Sequence, residues 1–530
     1  MGIKLRVRVL VVAVAVLAGP LALTAEADLL DAVTGDLDQP DGVQPVGDLD
    51  GDGLPDAVTI IETEEILIVQ ARRGRDGKLL WEHEFPGAAT VGAAIWVTRS
   101  ASTHGHVFAA RIGEEGVPGV IVAQLTRAGA YSVAGHVEEW DLRLHAVGGD
   151  GTVHWRQIVP GIPRVAPTAL PSIGGAMPYP IGVFNAIPGD ASDLLVRMLP
   201  QHQDGTADFI VIDGTDGEAS HNLFAYETYF PKVETVGDLS GDGLDDFVAY
   251  EWFGEEVRVT ALRGDGNQVW QTVLPVRMNW LAVGDAGDGD GDGRVEILLA
   301  GSPINHLLDG ATGTVRWAEP GSAFAAGDVD GDGLDETLLG TSSGTTATLV
   351  AIDFTGTERY SRAHAIGSTL VAFYAVGDVN GDGAVDVLHS SYTGGETYEN
   401  GLLDGTTGDR IWLQQRSPAR LQPTGGPIDG SGDDLFYVQD EPDGTDTLVV
   451  VSGATGAEWW SANLGGWWWG KPLVADVEGD GAFDVFVSPQ VGGEGGGCVE
   501  PTCLVQVLPD GAIRVPTVLA GADGTELWSS

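Results

Sequence analysis

Apolar residues in this chain come in short runs, many of them alternating with polar ones, and glycine-rich polar stretches separate the runs. Period-two alternation and β-branched clusters predict strands, and helical periodicity is absent beyond residues 1–27. Strands fall at 44–46, 57–61, 66–71 and 79–84, and the same cadence returns to make nine units of about fifty residues across 45–530. One four-stranded sheet cannot bury both faces alone, whereas a ring of sheets stacked around a central channel can. The pattern therefore predicts an all-β fold, a β-propeller of four-stranded blades. Such rings hold about four to eight blades, so nine units leave two arrangements open: eight blades with an extra sheet, or nine blades. Residues 28–44 form an N-terminal segment in which Leu29 to Gly35 resembles the turn at Leu402 to Gly408, a candidate for a ring-closing strand.

The polar breaks carry the chemistry, and the loop from Asp48 to Asp56 shows it best. Carboxylates stand at loop positions 1, 3, 5 and 9 (Asp48, Asp50, Asp52, Asp56), and glycine at position 6 permits a sharp turn. Oxygens at that spacing can replace several waters of a hard cation, which makes the loop a Ca2+ ligand set. Five more loops keep the spacing. They are Asp238, Ser240, Asp242 and Asp246; Asp288, Asp290, Asp292 and Glu296; Asp328, Asp330, Asp332 and Glu336; Asp378, Asn380, Asp382 and Asp386; and Asp476, Glu478, Asp480 and Asp484. Up to six Ca2+ sites follow. Ser240 and Asn380 each remove one charge, so the loops at Asp238 and Asp378 are expected to bind more weakly. A helix-flanked calcium loop would place an acid at position 12. Here that position is Thr59, Ala249, Leu299, Leu339, His389 or Val487, in strand-like runs. Three worn copies, at Arg111 to Gly119, near Gly189 to Asp193 and near Ile428 to Asp433, have lost most ligands. The strand Val120-Ile121-Val122 remains after the first of them, so the repeat is an architectural unit first and a metal binder second.

Eight of these units close on a turn and a strand bearing an aromatic residue. Asp309-Gly310-Ala311-Thr312-Gly313 precedes Trp317, Asp404-Gly405-Thr406-Thr407-Gly408 precedes Trp412, and related endings close at Trp81, Trp155, Trp270, Tyr360, Trp460 and Trp528. Glycine at the last turn position permits the positive φ that a three-residue hairpin turn with a bulge requires. The Asp-x-Asp-Gly-Asp-Gly-x-x-Asp loops followed by a strand resemble the FG-GAP or VCBS repeats of integrin-α-like propellers. The Asp-Gly-x-Thr-Gly-x-x-x-Trp endings are similar to quinoprotein-like propeller repeats. This resemblance spans nearly all of 45–530. It implies calcium that stabilises loops between strands of a blade, and ligand binding or cell adhesion at one face of the ring. A pyrroloquinoline quinone site is not expected, because the adjacent Cys-Cys pair of many quinoprotein dehydrogenases has no counterpart here. Gly340 to Gly344 matches the Gly-x-Ser-x-Gly pattern, but the pattern needs a strand-to-helix elbow and this copy is expected in a turn between strands.

Composition then narrows the function classes. With 530 residues, 43% apolar, and 78 glycines, the chain can bury a large core and make many turns. Its formal charge of -50, with lysine only at 4, 78, 232 and 471, argues against nucleic acid as a partner. Six Ca2+ ions would return only about a quarter of that charge. Residues 1–27 read as a signal peptide: Lys4, Arg6 and Arg8 precede the apolar run Val9 to Leu23, and Ala25-Glu26-Ala27 offers a cleavage site. No membrane span is expected in the mature chain, which is placed outside the cell or at its surface. In that oxidising setting Cys498 and Cys503 are expected to close a small disulfide loop. Alternation puts Trp467 and Trp469 on one face and Trp468 on the other. Trp467 and Trp469 are the ligand candidates, since exposed aromatic faces stack on sugars or anchor a protein. The resulting expectation is a secreted calcium-binding β-propeller that binds an extracellular protein or glycan, with no catalytic residue assigned. A secreted carbohydrate-active enzyme of the polysaccharide lyase kind and a purely architectural surface protein are the alternatives.

Overall fold

The computed structural model describes residues 43–62, 66–86, 105–132, 136–160, 176–189, 191–200, 208–225, 232–253, 255–275, 280–366, 371–382, 384–394, 397–416, 419–426, 434–440, 446–463, 473–480, 482–487, 506–507, 513–514, 517–520, 523 and 525–529. Among them there is no helix, and the strands gather into nine four-stranded antiparallel sheets and one two-stranded hairpin. Eight of the four-stranded sheets are meanders of consecutive strands, and the ninth is a meander interrupted by the hairpin. In chain order the nine sheets lie within 43–86, 105–160, 176–225, 232–274, 280–319, 322–365, 371–416, 419–463 and 473–529, and are called sheets 1 to 9 below. The hairpin Gln506–Val507 with Ile513–Arg514 is inserted between the second and third strands of sheet 9.

Sheet 1 is built from Val43–Val46, Asp56–Glu62, Ile66–Arg72 and Leu79–Pro86, close to the boundaries that alternation predicts. Inner strands are covered on both faces, so the second strands read as unbroken apolar runs such as Phe247 to Tyr250. The fourth strand lies at the sheet edge and alternates, with Trp81 and Phe85 buried between the exposed Glu82 and Glu84. A register shift recurs beside the third-to-fourth turn, at Ala71/Arg72, Ala261/Leu262, Leu307/Leu308, Ala351/Ile352 and Leu402/Leu403. This is the expected bulge, and Gly313 and Gly408 supply its positive φ, 68° and 72°.

Apolar clusters join the sheets in series. Val69 and Trp81 of sheet 1 pack on Val107 and Val122 of sheet 2, and Trp155 of sheet 2 on Leu194 and Val196 of sheet 3. Phe184 of sheet 3 meets Phe247 of sheet 4 edge-on at 4.8 Å. Further clusters link sheets 4 to 5, 5 to 6, 6 to 7, 7 to 8 and 8 to 9. A ninth, of Val477, Phe486, Val518 and Trp528 with Ala57, returns from sheet 9 to sheet 1. Each seam covers two faces that neither sheet could keep from water alone.

At six of the nine seams the aromatic residue of the fourth strand also makes a directed bond. Trp81 Nε1 donates to the Gly149 carbonyl at 3.1 Å, Trp155 to Gly214 at 2.8 Å, Trp270 to Gly310 at 2.6 Å and Trp412 to Gly453 at 2.6 Å. The Tyr360 hydroxyl does the same to Gly405, and Trp528 Nε1 donates to Gly74 at 2.5 Å, across 454 positions of chain. The acceptors are the turn glycines of the neighbouring sheet, packed so tightly that a Cβ at Gly310 would collide with the Val295 carbonyl. Sheet 6 has Phe354 in place of that glycine, and Trp317 Nε1 is buried with no partner. The seam between sheets 9 and 1 is made by C-terminal strands; Leu29 to Gly35, the candidate closing strand, lies outside the described residues. Because these bonds join like ends of successive sheets, the first-to-second loops share one end of the assembly. The C-terminal ends of the second strands and the N-terminal ends of the third lie at the other end.

Candidate metal centres

Within each intact loop the backbone folds around the position-1 carboxylate. Asp48 Oδ1 accepts from the amides of Gly51 and Asp52 at 2.7 and 3.1 Å, and Oδ2 from Gly53 at 2.8 Å. Gly51 and Gly53 turn the chain at φ of 79° and 89°, where a side chain would be strained. Asp328 repeats this with Gly331, Asp332 and Gly333 at 2.7, 3.0 and 2.8 Å. One oxygen each of Asp50 and Asp52 accepts from the amide two residues on, at 3.2 and 3.1 Å. Their second oxygens face Arg73, at 2.8 and 4.0 Å.

Position 9 has a role that reading it only as a ligand misses. Asp56 is fully buried; its Oδ2 accepts from Leu49 and Asp50 at 2.8 and 3.1 Å, and Oδ1 from Gly74 in the third-to-fourth turn at 3.1 Å. Asp386 likewise bridges Val379 at 3.0 Å and Gly405 at 2.8 Å. In a worn copy Asp193 makes the same bridge, from Ala186 and Ile187 at 3.0 and 2.8 Å to Gly214 at 3.1 Å. This carboxylate satisfies loop amides that would otherwise be buried unpaired, a role that Asp193 keeps in a copy whose other ligand positions are lost. The survival of Asp193 where its neighbours had gone was the signal in the sequence.

Oxygens of Asp48, Asp50 and Asp56, of Asp288, Asp290 and Asp292, and of Asp328, Asp330 and Asp332 each gather within 4.8 Å and can hold a metal ion. In the remaining loops Asp238 accepts from Gly241, Asp242 and Gly243, Asp378 from Gly381 and Asp382, and Asp476 from Gly479 and Asp480. Burial pushes the position-9 acids up, Asp246 to about 6 and Glu296, Glu336 and Asp386 to about 7, and neighbouring loop carboxylates add to the shift. At Asp238 and Asp328 desolvation acts upward too, but the surrounding amides outweigh it and hold both below the usual range. Asp246 Oδ1 and Glu336 Oε1 are buried without any hydrogen-bond partner. Crowded all-oxygen donors, with desolvated position-9 acids beside them, are short of positive charge, and a hard divalent cation fits them.

No family model and no curated protein matches the chain. Among solved structures it is similar to the biofilm matrix protein Bap1 of V. cholerae, at 13% identity over 91% of this chain and 95% of that one, with a TM-score of 0.36. It is similar to BamB from Moraxella catarrhalis at 16% identity, 68% and 96% coverage and a TM-score of 0.34. A quinohemoprotein alcohol dehydrogenase from Comamonas testosteroni aligns at 14% identity, 87% and 72% coverage and a TM-score of 0.39. Likeness at this level carries no argument about function, so the case rests on the loops.

Of the other residues singled out in the sequence, Trp467, Trp469, Cys498, Cys503 and the signal segment lie outside the described residues. Thr341 to Ser343 belong to the strand Glu336–Ser343 and not to a turn, and the chain continues into another strand, so no nucleophile elbow forms. No helix among the described residues is long and apolar enough to cross a membrane.

Proposed function

We propose that the protein is an exported calcium-binding β-propeller of nine blades, a binding or adhesion module for a protein or glycan outside the cell or at its surface. The observation that carries this reading is the placement of six carboxylate loops at one end of a cycle of nine mutually packed sheets. Calcium would neutralise the converging carboxylates. The chain's own part is preorganisation: position 1 gathers the loop amides, and position 9 ties the loop to the third-to-fourth turn. Residues 1–27 direct export, and a Cys498–Cys503 disulfide suits that compartment.

The connection that carries Trp467 and Trp469 joins Asn463 to Leu473, strand ends opposite the metal loops. Calcium would support the partner site through the rigidity it gives the sheets. The test is binding of residues 28–530 to glycan and matrix-protein arrays, in calcium and in chelator. Calcium-dependent binding that Trp467→Ala or Trp469→Ala abolishes is expected; no binding in either buffer overturns the adhesion reading.

A further inference from the structure

The third-to-fourth turn of each sheet overhangs that sheet's own loop, and the charge it presents changes from sheet to sheet. In sheets 1 and 4 its first residue is arginine. Arg73 Nε lies 2.8 Å from Asp50 Oδ2 and 4.0 Å from Asp52 Oδ2, Arg75 adds a contact to Asp52 at 3.5 Å, and Arg263 Nη2 is 2.5 Å from Asp242 Oδ2. In sheets 5, 6 and 7 the same place holds Asp309, Asp353 and Asp404. Sheets 5 and 6 compensate with an arginine on the fourth strand. Arg316 pairs with Asp309 and stands 4.0 Å from Asp290; Arg359 is 3.5 Å from Asp353, 3.2 Å from Asp330 and 3.1 Å from Asp332. Sheet 7 has Ile411 there instead. Its Asn380 Nδ2 donates to Asp404 Oδ2 at 3.0 Å and to Asp382 Oδ2 at 3.1 Å, while the Thr406 hydroxyl donates to Asp382 at 2.7 Å. The contact that is Asp50 with Arg73 in sheet 1 is thus Asn380 with Asp404 in sheet 7, donor and acceptor exchanged.

We propose that these turn residues set the order in which the loops take up calcium. Asp404 supplies the carboxylate that Asn380 lacks and makes the sheet 7 loop a tight one, while Arg73 and Arg359 are tethered counter-ions that calcium must outcompete in sheets 1 and 6. The inference rests on the calcium reading above, and it reverses the expectation, drawn from position 3 alone, that the Asp378 loop is weak. The competition is direct. Asp330 and Asp332 each give one oxygen to a backbone amide, and the other oxygen of each faces the Arg359 guanidinium. Those outward lone pairs are the ones a metal would use. Sheet 9, with Ala520 and Leu527 at the two places, carries neither a tethered cation nor a tethered anion there.

Hydrogen–deuterium exchange of the purified protein across a calcium titration reads each loop separately. Amides of 376–387 should gain protection at lower free calcium than those of 326–337. Arg359→Ala should lower the midpoint of the sheet 6 loop about tenfold, the size of one unit charge a few ångströms from a divalent ion at a partly exposed site. Arg359→Lys keeps the charge and should stay near the parent midpoint, and Asp404→Asn should raise the sheet 7 midpoint by a similar factor. An unmoved or raised sheet 6 midpoint in Arg359→Ala, or an unmoved sheet 7 midpoint in Asp404→Asn, overturns the proposal. Lysine behaving as alanine would overturn its electrostatic basis. If no loop gains protection at any calcium concentration, the calcium reading itself fails.

Discussion

Trp528 is the residue on which closure of the sheet cycle can be tested. Its indole is 7% exposed, packs with Ala57, Val477, Phe486 and Val518, and donates to the Gly74 carbonyl at 2.5 Å. Its ring also lies against Gly77, whose φ of 64° and missing Cβ leave room for it. Truncation to alanine removes an aromatic side chain of about 200 Å2, which at about 25 cal/mol per Å2 is ~5 kcal/mol, in line with the ~3–5 kcal/mol typical of buried tryptophan. Trp528→Phe keeps much of the area and isolates the lost hydrogen bond, about 1 kcal/mol. Trp270 makes the equivalent contact at the seam of sheets 4 and 5, with Gly310 as acceptor, and serves as the control. Amide exchange should respond locally. Trp528→Ala should accelerate exchange in Val43–Val46 and Leu473–Ala475, by about a hundredfold to a few thousandfold for ~3–5 kcal/mol, and leave sheets 4 and 5 unchanged. Trp270→Ala should do the reverse. Unchanged exchange of Val43–Val46 in Trp528→Ala would mean that sheets 1 and 9 do not depend on each other, and the closed ring would be refuted.

Two more predictions follow from burial and charge. Each calcium ion held at a hundredfold excess over its Kd contributes about 2.7 kcal/mol, so chelator should lower the melting temperature in calorimetry by many degrees; an unchanged melt would remove calcium from the account. His389 is fully buried with neither ring nitrogen hydrogen-bonded, and burial, with Arg410 and His364 nearby, holds its pKa down to about 4. The unfolded chain takes up this proton near the ordinary histidine pKa of about 6.5 and the folded chain only near 4, so stability is retained above that window and lost as pH falls through it, by up to about 3 kcal/mol. Urea midpoints of His389→Gln should fall less over the same pH range; parallel pH dependences would show that His389 is not responsible.

Much of the fold was legible because its signals are local. Alternation marked the edge strands, apolar runs marked the inner ones, and the Asp-x-x-x-Gly turns marked the bulged hairpins, since all of these depend on residues within one hairpin. The metal loops were legible for the same reason: position 1 and its amides lie within five residues of one another. Less legible were the acceptors of the aromatic residues. Trp270 finds Gly310 forty positions away, and Trp528 finds Gly74 across nearly the whole chain. The role of Asp56 in tying its loop to Gly74 was also hidden, because its partner belongs to a different hairpin.

By itself, then, the sequence determined the repeating unit, its strands, its turns and the carboxylate spacing of its loops, because each is set by backbone sterics and side-chain periodicity over a few residues. Only the tertiary structure decided how the units meet. It showed nine sheets among the described residues, returned the last of them to the first, and gathered the loops at one end. It also set an arginine above Asp50 but an aspartate beside Asn380. Those outcomes depend on which apolar faces cover one another, whose partners lie in different repeats, and on how a turn overhangs a loop in another hairpin of the same sheet.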